Sequence, residues 1–249
     1  MKSIRTSSPD RHARGLLRDL PETDRYDGEA STDEDDVAAK IAQFILPQSR
    51  VLDVGCGTGA VSDVVRRLAH SDLVGIEPDG DRAQLARARG LSVFDGVLEA
   101  DFLQRHGPFD AIIFADVLEH LPDPGDVVLL AKEGLKPKGA IIASVPNVAH
   151  WFVRHDLLRG RFEYQDCGIM DATHLRWFTR ESICKFFVNL GFQITGFDST
   201  ANAGLPEYYH RAPWRWFNVG ARRRLVGFLA RRYPTVFGCQ HVVRASLPG

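Results

Sequence analysis

The chain has 249 residues, a formal net charge of −1, 44% hydrophobic residues and 25% charged residues. That composition fits a globular protein able to bury a core without staples, and it excludes a uniformly basic nucleic-acid trap. Four cysteines (Cys56, Cys167, Cys184, Cys239) form no CxxC pair, no apolar run approaches the roughly 20 residues of a membrane span, and MKSIRTSSPDRHARG lacks the apolar core of a secretory signal, so a cytoplasmic protein is expected.

Residues 1–33 show no sustained hydrophobic period and are expected to form a flexible segment, with the part near Tyr26 the candidate to fold over a site. A single domain is expected over 34–249. EDDVAAKIAQFIL, 34–46, places Val37, Ile41, Phe44 and Ile45 at helical spacing behind acids in the first turn. RVLDVG reads as a strand whose glycines lead into a helix near 60–69. LVGIEP, 73–78, is a second strand with a helix near 80–89 after it, and SVFDG, 92–96, is a third. FDAIIFAD, 109–116, is a strand apolar on both faces, a helix starts near 123, and AIIASVP, 140–146, is a fifth strand. A helix near 180–190 stops at Gly191, with Thr179 as its predicted N-cap. FQITGFDST, 192–200, and CQHVVRAS, 239–246, alternate as antiparallel strands do. The regions 147–179 and 201–238 read as irregular. Alternating strands and helices predict an α/β fold with a mainly parallel sheet covered on both faces, and its site at the carboxyl ends of the strands.

VLDVGCGTG, 51–59, sits at one such end. A Gly-x-Gly-x-Gly turn lets backbone approach a ligand, and the following helix adds its N-terminal N–H groups. Glu77 follows about 20 residues on, where a carboxylate can accept from both ribose hydroxyls. A dinucleotide site expects Gly-x-Gly-x-x-Gly, so the third glycine here comes one residue early. Asp53, inside the strand, suits a cationic amine or sulfonium better than a pyrophosphate. The pattern favours S-adenosyl-L-methionine over NAD.

VLDVGCGTG, the acid of VGIEP, FDAIIFADVLEHL and LKPKGAIIASVPN together resemble a class I S-adenosylmethionine-dependent methyltransferase over about residues 35–200. The resemblance implies a Rossmann-like three-layer sandwich, its seven-stranded sheet having only the last strand antiparallel. It implies that Gly55, Cys56 and Gly57 surround the methionine part, that Glu77 and Pro78 lie at the ribose, and that Leu98 packs on adenine. Ala115 and Asp116 would line the methionine end, with His120 beside them. Val97 stands where relatives often carry an acid for the adenine amine.

Transfer to an alcohol needs a base. His174, within GIMDATHLRWFT, is the first candidate, with Asp171 orienting it; His150, within SVPNVAHW, is the second. Asn147 and Arg176 are candidates for the substrate, and Asp171, His174 and Arg176 can equally pin their loop. No spacing marks a metal site, and none is expected, although Asp116, Glu119 and Asp171 are the ligands that could be proposed. The SVPN…GRFEY…GIMDATHLRWFT pattern resembles bacterial methyltransferases similar to the ubiquinone-pathway O-methyltransferases, often associated with surface-polysaccharide or secondary-metabolite synthesis. That implies O-methylation of a sugar or other small hydroxylated acceptor, releasing S-adenosyl-L-homocysteine. A non-catalytic S-adenosylmethionine-binding partner protein of the MetW-like kind, an N-methyltransferase and an RNA methyltransferase stay open.

The insert at about 201–238 is rich in arginine and aromatics. A helix is expected over 213–232, with Trp216, Val219, Leu225, Phe228 and Leu229 on one apolar side. Covering the sheet edge or a substrate pocket, a peripheral membrane contact through 211–232 and a homodimer contact are the readings of that segment. Nucleic acid is a weaker one, resting on a single short basic stretch.

Overall fold

The computed structural model describes residues 32–248, so Tyr26 and nearly all of the expected flexible segment lie outside the described residues. Seven strands form one sheet in the order β3-β2-β1-β4-β5-β7-β6. They are β1 (Arg50–Val54), β2 (Asp72–Glu77), β3 (Ser92–Asp95), β4 (Phe109–Ala115), β5 (Leu135–Pro146), β6 (Gln193–Ser199) and β7 (Gln240–Ser246). Pairing is parallel from β3 through β5, and β7 runs antiparallel to both β5 and β6. The expectation that the last strand alone reverses is met.

Ten helices connect the described strands: α1 (Val37–Ala42), α2 (Ala60–Ala69), α3 (Gly80–Ala88), α4 (Ala100–His106), α5 (Pro124–Glu133), α6 (Trp151–Leu157), α7 (Arg180–Asn189), α8 (Pro206–His210), α9 (Val219–Arg232) and α10 (Pro234–Phe237). Strand alternation divides the core. Val51, Ile113, Ile142 and Val242 pack against Ile41 of α1, Val64 and Val65 of α2 and Ala86 of α3. Leu52, Val54, Ile112 and Ile141 face the other way, onto Phe102 of α4, Val128 of α5 and Ile183 and Phe187 of α7. This is the expected three-layer sandwich.

The differences from the sequence reading have local causes. α1 is shorter than 34–46: Asp36 caps it by accepting from Ala38 N, and it stops before Phe44 and Ile45. α4, α6 and α8 were not expected. Each is seven residues or fewer and buries only two side chains, too little for a helical period to stand out. α7 starts where predicted, with Thr179 and Ser182 forming a reciprocal capping box.

The two irregular regions emerge at the same end of the sheet, because β5 and β6 end where the reversed β7 begins: Pro146 and Ser199 sit opposite Gln240 and His241. There they pack on each other. Trp151 of α6, Tyr208 of α8 and Trp214 lie with ring centroids 5.0–5.8 Å apart. The insert helix begins at Val219 rather than 213, and its apolar side differs from the expected one. Arg222, Val226 and Ala230 point inward, whereas Trp216, Val219 and Phe228 are exposed.

Candidate cofactor and acceptor site

Strand order reverses between β1 and β4, which opens a crevice at their carboxyl ends. The β1–α2 turn lies there, and its glycines do different jobs. At Gly59, φ is +77°, and an added Cβ would come 2.6 Å from Leu91 Cδ1 and 2.9 Å from Ala86 Cβ. That glycine lets the turn pack on α3. At Gly57, φ is +56°, and nothing among the described residues lies within 4 Å of an added Cβ. That glycine faces open space. Gly55 does neither: its Cβ would meet Val117 at 3.0 Å.

Glu77 ties the turn to β2. It is buried, its Oε2 accepts from Gly57 N at 2.8 Å, and its Oε1 accepts from Asp79 N at 3.1 Å. A carboxylate offers about four lone-pair sites, so two bonds leave capacity for ribose hydroxyls. Pro78, next along, is exposed. Asp53 is 1% exposed; its Oδ2 accepts from Ser62 Oγ at 2.6 Å, and its Oδ1 has no partner among the described residues. Burial pushes Asp53 up to about 7, the Ser62 bond pulls down, and the Glu77 charge adds to the rise. A buried acid with an unmet acceptor is the environment a cationic group would relieve. The open face at Gly57, the spare capacity of Glu77 and the orphaned Asp53 oxygen fit S-adenosyl-L-methionine. Cys56 contributes backbone only, since its thiol packs where a Cβ on Gly75 would stand 2.6 Å from it. Leu98 is buried in the core beside Val54 and Ile76, while Val97 is exposed.

Beyond β4 the site becomes a side-chain network. Asp116 has φ +53°, sparse territory for a residue with a Cβ. Its Oδ1 accepts from Ser144 Oγ at 2.9 Å and its Oδ2 from Gln240 Nε2 at 2.5 Å. Burial pushes it up to about 6, against those two bonds and with help from the Asp36 charge. The sequence reading set Asp116 at the methionine end and among the ligands a metal could take, without these partners. The partners sit 28 and 124 residues away, and no local signal points to them. Gln240 also lines a cleft of about 390 Å³ with Asp36, Thr200, Asn202, Tyr209 and Arg223.

The predicted catalytic and substrate residues separate. His150 is fully buried, with Nε2 3.4 Å from Tyr208 Oη, and burial pushes it down to about 3. The structure places it in the core. Asn147 is also fully buried: its Nδ2 donates to Gly238 O at 2.8 Å and Thr235 O at 3.1 Å, and its Oδ1 accepts from Ala149 N. It ties β5 to α10. Arg176 donates to the carbonyls of Pro122 and Leu175, the loop-pinning alternative.

His174 and His120 come together, edge to face at 4.9 Å between centroids. His174 Nδ1 lies 3.2 Å from Ile169 O, and His120 Nδ1 lies 3.2 Å from Thr173 Oγ1. Asp171 Oδ1 accepts from Thr173 N and Oγ1 at 2.7 and 2.6 Å, so its hydrogen bonds shape the turn, and it acts on His174 through its charge. Burial first, then His120, holds His174 below the ordinary histidine value. Glu119, buried beneath them, has neither carboxylate oxygen partnered among the described residues. Burial, with the Asp116 charge second, holds it well above the carboxylate range. One ligand atom each of Glu119, His120 and His174 falls within 4.8 Å of the others, close enough to hold a cation. The sequence reading expected no metal site, since no spacing marks one, and its possible ligands, Asp116, Glu119 and Asp171, share only Glu119 with this cluster.

Residues 26–196 match the methyltransferase-domain family. Among curated relatives, the ubiquinone biosynthesis O-methyltransferase of Xanthomonas campestris pv. campestris (strain B100) is 33% identical over 122 residues, covering 45% of this chain and 48% of that protein. The chain thus spans about half the length of the curated relatives it matches. Among solved structures, a SAM-dependent methyltransferase from Thermotoga maritima, described as a possible histamine N-methyltransferase, superposes with TM-score 0.54 at 16% identity, over 85% of this chain and 87% of that one. Magnesium protoporphyrin IX methyltransferase from Synechocystis PCC 6803, with bound SAH, gives 0.50 at 16%, over 85% and 80%. At these identities the structures speak to the fold.

Proposed function

The chain belongs to the methyltransferase-domain family, and from that premise we propose that it transfers a methyl group from S-adenosyl-L-methionine to a hydroxyl of a sugar or other small hydroxylated acceptor. The observation that carries the reading is the cradle at Gly57, Glu77 and Asp53: open space, spare acceptor capacity and an unmet buried carboxylate oxygen in one crevice. When bound, the cofactor supplies a methyl already activated by its sulfonium. The chain's own work is to align the acceptor and receive its proton. Glu77 takes the ribose hydroxyls, Asp53 faces the cationic end, and Ala115 and Asp116 border the methionine end. The cleft lined by Gln240 takes the acceptor; Thr200, Asn202, Tyr209 and Gln240 offer hydroxyl and amide partners, and Asp33, Asp35 and Asp36 outnumber Arg223, a lining that suits a hydroxyl-rich molecule without an anionic group. His174 is the base of this scheme, and its Nε2 is the nitrogen left for the proton after Nδ1 meets Ile169 O.

The curated relatives' O-methyltransferase names support a hydroxyl over an amine. A second reading, cofactor binding without turnover, is favoured by one observation: His174 is 6% exposed and His150 fully buried. The test is release of S-adenosyl-L-homocysteine with a panel of sugars, catechols and amines. Release with hydroxylated acceptors, lost in His174→Ala, is expected. Release with amines alone would shift the reaction to N-methylation, and full turnover by His174→Ala would remove that residue from the scheme.

A further inference from the structure

Charge along the chain is divided. The last 42 residues, Tyr208 to Gly249, hold eight arginines and no acid, in a protein whose net charge is −1. Some of these arginines are committed. Arg211 pairs with Asp156, Arg223 with Asp33 and Arg231 with Asp35, and Arg222 is buried, donating to Tyr208 O. Others face outward without an acid: Arg215, Arg224 and Arg232 are exposed, and among the described residues none has a carboxylate partner.

These arginines lie among exposed aromatics. Arg224, Phe228 and Arg232 follow one another at intervals of four residues, which sets them in one line along the outer side of α9, and Trp216 and Phe217 lie exposed just before the helix begins. The opposite line, Arg222, Val226 and Ala230, is buried. Trp216 is 71% exposed, and Phe228 is 57% exposed. Trp216 therefore faces solvent beside Arg215, whose guanidinium lies over its ring, at the head of a helix anchored from beneath. A nucleic acid would ask for a groove to track its backbone. Exposed rings flanked by arginines suit a surface that accepts rings at its boundary and offers phosphates around them.

We propose that the outer side of α9, with Trp216 and Phe217 at its head, docks the protein on an anionic lipid bilayer. The contact is peripheral: no described helix is long and apolar enough to cross a membrane. It stands apart from methyl transfer, since none of its residues belongs to the cofactor cradle.

The experiment is sedimentation of the full chain with vesicles of phosphatidylcholine alone or mixed with phosphatidylglycerol. Binding to the mixed vesicles alone, weakening as salt rises, is expected. Arg224→Glu/Arg232→Glu should lose about tenfold or more in partitioning, from removing and reversing two charges near the surface. Trp216→Ala/Phe228→Ala should lose a similar factor at unchanged charge. Calorimetric binding of S-adenosyl-L-homocysteine checks that both variants are folded. Equal binding to neutral vesicles, no binding to either, or variants that partition like wild type would overturn the proposal. Tighter binding of polyuridylate than of mixed vesicles, lost in the same variants, would overturn it in favour of a nucleic acid.

Discussion

The carboxyl ends of β1 and β2 and those of β4 and β5 form two halves of one crevice, and they are built differently. In the first half the groups are backbone N–H groups, absent side chains and two carboxylates. All lie within 27 residues, and each is fixed by where a strand stops. In the second half the groups at the strand ends are side chains held by partners far along the chain: Asp116 by Gln240, His120 by Thr173, Asn147 by Gly238. A site made of strand ends is written in spacing. One made of tertiary contacts is not.

The sharpest break within the first half separates two glycines of one turn. Gly59→Val forces a side chain into Leu91 and Ala86 at positive φ, and should cost ~3 kcal/mol or more, read as a large fall in Tm. Gly57→Ala meets no atom of the described residues. Only the left-handed backbone costs it, ~1 kcal/mol, yet affinity for S-adenosyl-L-homocysteine should fall about tenfold or more as the methyl enters the cradle. If both variants merely unfold, the glycines share one structural job and the distinction fails.

The second half should answer in stability. Asn147→Ala leaves two buried carbonyls and one N–H unmet and should destabilise by ~2 kcal/mol, with cofactor affinity unchanged in calorimetry. A variant of full stability that bound acceptor poorly would return Asn147 to the substrate.

The smallest effect is a slope. Asp53 rises from its ordinary 3.8 to about 7 on folding, so the folded state holds an extra proton between those values. Its contribution is present below about pH 4 and is lost as pH rises through 7. Thermal melts of Asp53→Asn should match wild type near pH 4 and exceed it above pH 7, a difference that S-adenosyl-L-methionine should narrow. A constant offset across pH would show that Asp53 does not carry the strain assigned to it.

What could be read in advance follows the same division. The strands of the sheet were legible because long apolar runs and glycine stops are local, and Glu77 was legible because one crossover unit fixes its distance from the glycines. The short helices α4, α6 and α8 were not, having two buried residues apiece. Nor was the burial of His150, which depends on Tyr208 arriving from the insert. A histidine after a strand looks the same in sequence whether it faces a crevice or a core. The outward rings of the insert were misassigned for a related reason: Trp216 and Phe228 have the spacing of a core face, and only the packing of Val226 and Ala230 shows which side is inside.

One titration bears most directly on the cradle: S-adenosyl-L-homocysteine, with NAD as control, into wild type and Glu77→Ala by calorimetry. Binding of S-adenosyl-L-homocysteine and not NAD is expected, weakened about thirtyfold by the mutation, the equivalent of ~2 kcal/mol for hydrogen bonds to a charged carboxylate. Binding of NAD instead, or equal affinity in the two proteins, would contradict the assignment of Gly57, Glu77 and Asp53 to the methyl donor.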